Sequence, residues 1–335
     1  MKRHGGKKMV LEIGNRYILR RFFSGLLAFL LSITLTFFLL RSLPGDYMTD
    51  LLLEIGRYAP PELVASFKHE VGLDLPLPEQ YLLYLTGILK GNWGHSFEYG
   101  LPVFSLIREK LYWTLVLLLP SSLLSAGLGM GLGAYSGWKN GSKTDAFLLH
   151  SLVFVGAVPS YCWGFAGLFI FSFRLGLLPF GGYVSLPGTE PAGLFRHALL
   201  PVLTLTLCSV PGIYYLMRNS MLDTLGEDYI LAARARGFSE SRILFQHALP
   251  NSILPVLTMT SLHCAHMLAG SVFIETIFAW PGLGLLTYSA LETHDLPLLQ
   301  GIFLVDTLLI IIANLTADLL YPLIDPRIRS RIRGE

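Results

Sequence analysis

Charged side chains make up only 14% of this 335-residue sequence, about half their usual share in soluble domains. Lys and Arg number 25 and Asp and Glu 23, a formal net charge of +2. A nucleic-acid binder would need clustered bases and a far larger excess, so nucleic acid is excluded as a partner. Cysteine is also scarce: Cys162, Cys208 and Cys264 lie inside apolar stretches with no short spacing between them, which fits neither a disulfide framework nor a structural zinc site. Missing too are His-Glu-x-x-His, Gly-x-Ser-x-Gly and Gly-x-x-x-x-Gly-Lys-[Ser/Thr]. Metalloprotease, hydrolase and self-contained ATPase readings therefore lack their residues, and the chain is expected not to be an enzyme.

What the chain has is apolar length. Hydrophobic residues reach 53%, with mean hydropathy +0.55. A stretch of about 20 apolar residues crosses a bilayer as a helix, and six stretches qualify: Ile18–Leu40, Tyr112–Gly137, Ala146–Phe173, Ala198–Met217, Ile253–Phe278 and Gly301–Leu323. The basic N-terminus leads into the first of these with no small-residue cleavage site behind it, which reads as an uncleaved span. The expected fold is thus an all-α membrane protein with six transmembrane helices and no internal repeat.

Lys and Arg accumulate on cytoplasmic loops. Residues 1–21 carry Lys2, Arg3, Lys7, Lys8, Arg16, Arg20 and Arg21 against the single acid Glu12, whereas residues 44–110 hold nine acids and five bases. Lys139 and Lys143 follow the second span, Arg218, Arg234, Arg236 and Arg242 the fourth, and four arginines the sixth. Both termini are expected in the cytoplasm, with 44–110, 174–197 and 279–300 outside. The stretch 44–110 is too long for a simple turn and, with a helix-start signal at Pro60-Pro61-Glu62-Leu63, should form an external cap between spans one and two.

Ionisable groups within the spans are few: Arg41, Arg174, Glu275, Asp306 and Asp318. An ion-coupled secondary carrier needs such groups for its coupling ion and is the class-level rival. The informative segment joins spans four and five. Asp228 favours a helix start, the alanine-rich run propagates it, Gly237 suits the left-handed residue that ends it, Ser239 suits the cap of a second helix, and Pro250 should end that one. Tyr229, Ile230 and Phe238, with the arginines, would then face either a partner protein or lipid headgroups.

Here the sequence resembles the permease signature of ATP-binding-cassette importers: Leu231-Ala232-Ala233, then Gly237, then His247-Ala248-Leu249-Pro250, with Leu in place of the leading Glu and His in place of Ile. Further blocks resemble the first membrane subunit of dipeptide, oligopeptide and nickel importers. They are Leu43-Pro44-Gly45-Asp46, residues 71–81, Gly91-Asn92-Trp93-Gly94-His95-Ser96, residues 275–284 and Asp325-Pro326-Arg327-Ile328-Arg329. The resemblance implies one permease domain over 1–335 with the type I importer fold, in the cytoplasmic (inner) membrane of a prokaryote. Its partners would be a second, similar permease, two cytoplasmic ATPase subunits that bind ATP and Mg, and an extracytoplasmic solute-binding protein; the chain itself would bind no cofactor. Residues 227–250 would hold the coupling helix, with Glu227, Tyr229, Ala232, Ala233, Arg234, Ala235, Arg236, Gly237, Phe238, Leu249 and Pro250 as its working residues, and bulk at Ala233 or Gly237 should uncouple transport. Peptides are the expected cargo, with nickel or a metal chelate as the alternative.

Three features admit two readings each. Gly127, Gly129, Gly131, Gly133 and Gly137 lie at close-packing spacing, serving either contacts inside the subunit or the seam with a second permease. His263 and His266 share one helix face beside Cys264, as a soft-metal path or as neutral side chains in a wet cavity. With Glu275, a family-acidic position or merely a solvated helix end, they are the candidate pathway residues. Pro159 and Pro211 should kink spans three and four, while Trp93, Trp138 and Trp280 suit an interfacial aromatic belt.

Overall fold

The computed structural model describes residues 3–42, 74–183 and 191–324, except for the side chains of 3–20, 22, 191–192, 258, 261–266 and 317–324. Helices are α1 (Arg3–Ser42), α2 (Leu77–Leu89), α3 (Val103–Trp138), α4 (Lys143–Ala157), α5 (Ser160–Gly167), α6 (Pro191–Leu225), α7 (Asp228–Ala235), α8 (Glu240–Ile243), α9 (Leu249–Ile277), α10 (Leu283–Glu292) and α11 (Leu296–Ile324), with π-helical turns at Leu168–Arg174 and Leu244–Ala248. Among the described residues the only β-type pairing is the isolated bridge His95–Pro102. Four helical stretches have the length and apolarity to cross a membrane: Phe23–Ser42, Val103–Trp138, Gly193–Leu225 and Leu296–Thr316; α4 and α5 with its π-turn make a fifth if their bent pair counts as one. The helix-start signal at 60–63 and the blocks at 43–46, 71–73 and 325–329 lie outside the described residues.

The expected third span is not one straight helix. At Val158 the backbone turns extended (ψ 129), as the residue before a proline prefers, and α4 meets α5 at 96°. Pro159 cannot donate to Val155, and the Trp163 indole N–H supplies that bond to the Val155 carbonyl at 3.1 Å. By contrast α6 runs through Pro201 and Pro211 as one helix.

The tightest packing joins α3 to α6. Ser121, Ser125, Gly129, Gly133 and Gly137 recur every fourth residue and are all buried. A Cβ on Gly133 would stand 2.6 Å from the Tyr214 carbonyl oxygen and 2.7 Å from the Met217 Cβ. Gly129 and Gly137 meet Ile213 and Met221 in the same way, at 2.7 and 2.8 Å, whereas nothing lies within 4 Å of a Cβ on Gly127 or Gly131. The glycine pattern thus splits into an inner stripe that packs within the chain and an open pair on the opposite face.

Carboxylates staple the other end of the molecule. Glu275 is wholly enclosed at 0% exposure; its Oε2 accepts the amide of Gly284 at 2.6 Å and that of Leu285 at 3.4 Å, so a residue of α9 caps α10, where negative charge is favoured. This corrects the reading of Glu275 as a solvated helix end. Asp295 does the same for α11: Oδ1 accepts the Leu298 amide at 3.2 Å, and Oδ2 takes the Ser96 hydroxyl at 2.5 Å and the Glu98 amide at 3.2 Å. The 91–96 block is thereby tied to the start of α11. Trp280 is also core, not interfacial belt: 1% exposed, it donates its indole N–H to the Trp113 carbonyl at 2.9 Å and stacks on Tyr183. Nearby, α2 lies on α1 through Tyr81, hydrogen-bonded to Thr34 at 2.6 Å, and through Tyr84, stacked on the buried Phe37.

The seam generates a paired expectation. Gly133→Ala forces its methyl into the α6 backbone and should cost about 1–3 kcal/mol, read as a lowered thermal midpoint of the detergent-solubilised protein; Gly131→Ala on the open face should hold or raise that midpoint.

Candidate functional site

The segment between α6 and α9 folds from local rules. Glu227 is extended (φ −75°, ψ 144°) and starts α7, with Asp228 in its first turn, the acid where the helix dipole wants one. At the other end the Phe238 amide donates to Ala233 O at 3.2 Å and the Gly237 amide to Arg234 O at 2.9 Å. This is the Schellman ending, with Gly237 at φ +76° supplying the left-handed residue. Ser239 caps the next helix by accepting the Arg242 amide at 3.4 Å.

Pro250 departs from expectation. It does not end the second helix: α8 passes through the π-turn Leu244–Ala248 into α9 without a break, and Pro250 stands in the first turn of α9. A π-turn widens the backbone spiral, and a proline is tolerated in a first helical turn, where its missing N–H matters least. Side chains reinforce this joint, since Asn251 Nδ2 donates to His247 O at 2.7 Å and Ser252 Oγ to Ala248 O at 2.8 Å.

One face of the segment is core. Ile230, Ala233, Ile243 and Ala248 are buried against Ile213, Met217 and Met221 of α6, Ala134 of α3 and Val256 of α9, with Tyr229, Phe238 and Leu249 half-buried at the margin. Ile230, expected to be open to a partner, is therefore an anchor, and bulk at Ala233 would strike the chain's own interior. The other face is exposed: Leu231 at 55% and Phe245 at 63%, with Glu227, Ala232, Arg234, Ala235, Arg236, Gly237 and Pro250 around them. Arg234 pairs with Glu240 at 3.1 Å, and Arg242 lies over the Phe238 ring, which stacks on His247. Leu231 and Phe245, the large apolar groups of this outer face, were legible only as the helical complement of the buried Ile230 and Ile243.

Immediately behind the turn sits a polar clamp. Asp145, at the start of α4, receives Arg218 of α6 through two N–H donors at 2.8 and 2.9 Å, the Ser136 hydroxyl of α3 at 2.5 Å and the Gly141 amide at 3.0 Å. Tyr214 shares a hydrogen bond with Ser136 at 2.6 Å. Three helices are thus locked at the level where α7 attaches, by a carboxylate with four donors.

Residues 129–330 match the family described as binding-protein-dependent transport system inner membrane component, and residues 15–118 match its N-terminal region. The chain belongs to this family. It is similar to a probable peptide ABC transporter permease protein of Sinorhizobium fredii, 35% identical over 93% of this chain and 99% of the relative. It is also similar to an oligopeptide transport system permease protein of Bacillus subtilis (36%, 93% and 98%) and to a dipeptide transport system permease protein of Escherichia coli (33%, 94% and 99%). The protein is a membrane permease component of ABC importers, not an enzyme.

In this permease the exposed turn, the buried anchors beneath it and the clamp behind form one unit. Of the candidate pathway residues, His263 and His266 lie on α9 among side chains outside the described ones, and Glu275 is committed to the cap of α10. Among the described residues no three of His, Cys, Asp and Glu gather as a metal set.

Breaking the clamp on one side should be costly, because it strands a buried carboxylate. Arg218→Ala is expected to lose about 3 kcal/mol, measured as a fall in the thermal midpoint of the solubilised permease, and Arg218→Ala with Asp145→Asn should lose less than the two single variants together.

Proposed function

We propose that this chain is the membrane permease subunit of a type I importer that carries di- and oligopeptides, delivered by an extracytoplasmic solute-binding protein, across the cytoplasmic membrane. The observation that carries the reading is its likeness, over nearly the full length of both partners, to permeases named for peptide, oligopeptide and dipeptide transport. Counting the 29-residue helix α9 as a span alongside the five apolar ones gives six, and the distribution of Lys and Arg supports a cytoplasmic side for both termini and the α7–α8 turn. The segment 44–110 is then an external cap, supported by the seating of α2 on α1.

In this reading α7 is the coupling helix. Its exposed Leu231, Ala232 and Ala235, with Phe245 of the π-turn, dock on one of two ATPase subunits, which bind ATP and Mg and hydrolyse the nucleotide, while Ile230 and Ala233 carry the displacement into α3, α6 and α9. A second, similar permease completes the pathway. Nucleotide-driven closure of the ATPases biases a two-state arrangement of the spans, and no chemistry falls to this chain.

The test is ATP-dependent uptake of labelled di- to hexapeptides into proteoliposomes that contain the purified complex and its binding protein. Wild type should accumulate peptide. Gly237→Trp, which puts bulk on a left-handed residue, and Ala235→Trp, on the exposed face, should each abolish uptake, the second with the permease folded as in wild type. No uptake by an assembled, ATP-hydrolysing wild-type complex would reject peptide cargo; full uptake by Ala235→Trp would reject α7 as the coupling element.

A further inference from the structure

Membrane-crossing helices rarely carry a carboxyl, and where they do it is paired, capped or turned to water. Three of the enclosed acids follow the first two routes: Asp145 is held by Arg218, Ser136 and Gly141, Glu275 by the amides of α10, and Asp295 by Ser96 and the start of α11. Asp306 follows neither. It stands at the midpoint of the apolar stretch Leu296–Thr316, roughly 15 Å along the helix from either end, and makes no hydrogen bond or ion pair among the described residues. Its neighbour Thr307 is engaged with Ser32 of α1; Asp306 itself is half-buried.

The surroundings narrow what it serves. Stretches 22–40, 111–138, 249–277 and 283–324, which include the helices packed on α11, contain no lysine or arginine, so the chain offers no permanent cation at this depth. Lipid is the worst neighbour for a carboxylate, and such groups in membrane helices face the bundle interior or a watery cavity. Packing changes at this level too: Leu298, Leu299, Ile302, Leu304 and Val305 are buried on the outer side of Asp306, whereas Leu308, Ile310 and Ile312 on the inner side are exposed. A carboxyl at the end of the buried run of α11, with no lysine or arginine at its depth, suits a transient cation that arrives with the cargo.

We propose that Asp306 contacts the cargo in the translocation pathway and receives a primary ammonium group, at the peptide's amino terminus or on a lysine side chain. This rests on the peptide reading above. The test compares wild type, Asp306→Asn and Asp306→Glu in proteoliposomes holding the complete complex, with uptake of labelled Ala-Ala-Ala and Ala-Lys-Ala and ATP hydrolysis measured on the same preparations. A charged hydrogen bond lost from the pathway should lower uptake roughly tenfold in Asp306→Asn, with ATP hydrolysis retained and with uptake largely restored in Asp306→Glu. A loss confined to Ala-Lys-Ala assigns the lysine side chain as the group received, and an equal loss for both peptides assigns the amino terminus. Unchanged uptake in Asp306→Asn, an equal fall in both variants, or a complex that no longer assembles with Asn would overturn the proposal. Failure of wild type to accumulate either peptide would instead overturn the peptide reading, and this assignment with it.

Discussion

At Gly133 the α3 backbone comes so close to Tyr214 and Met217 of α6 that even a methyl group has no room, and this contact organises the half of the permease that carries the α7–α8 turn. Lipid tails are as apolar as leucine, so helices in a membrane gain little by hiding leucines from their surroundings and must gain it from close backbone approach and hydrogen bonds. A stripe of serine and glycine at every fourth position provides that approach over Ser121–Gly137. Ser136, adjacent to the last of these glycines, thereby comes within hydrogen-bond reach of Tyr214 and Asp145. The clamp is a consequence of the seam: with α3 and α6 held further apart, Asp145 would keep Arg218 but lose Ser136, and a buried carboxylate would be left short of donors.

The same seam gives the α7–α8 turn something firm to push against. Ile230 and Ala233 press on Met217 and Met221, which are themselves wedged on Gly133 and Gly137. Close-packed interiors transmit displacement instead of absorbing it. A force on α7 consequently reaches two long helices at once, through contacts with no slack, while the continuous helix from Glu240 through the π-turn into α9 delivers it to a third.

Local rules were the legible part of the sequence. Gly237, Ser239 and Asp228 each announce a backbone conformation or a cap that depends on neighbours two to four residues away, and the structure uses them that way. Pro159 was legible as an interruption but not as a 96° turn, because the angle depends on where the Trp163 indole finds the orphaned Val155 carbonyl. Pro250 reads as a helix end from its neighbours alone, since the π-turn that accommodates it leaves no mark in composition. Ile230 and Trp280 look like surface groups when judged by their neighbours, and both are buried by side chains of other helices. Asp145 carries no local signal, because its partner Arg218 lies 73 residues away. Glutamate at 275 was legible as unusual, but its task as the cap of α10 required the α9–α10 turn to be seen in three dimensions.

The disposition of enclosed acids also says where the chain is stiff. Glu275 and Asp295 each bind amides of a following helix, so α9, α10, α11 and the 91–98 segment are joined at one end by carboxyl-to-amide hydrogen bonds. Asp145 does the same at the other end for α3, α4 and α6. Between these two staples, α11 leaves its packed length at Val305 and continues with Leu308, Ile310 and Ile312 exposed. Beyond Val305 the helix still meets α1, through Thr307 on Ser32 and Ile311 beside Gly25, while Leu308, Ile310 and Ile312 face away from the chain. Asp306 stands where the buried run ends, so a charged cargo group meeting it would act next to the contact between α11 and α1.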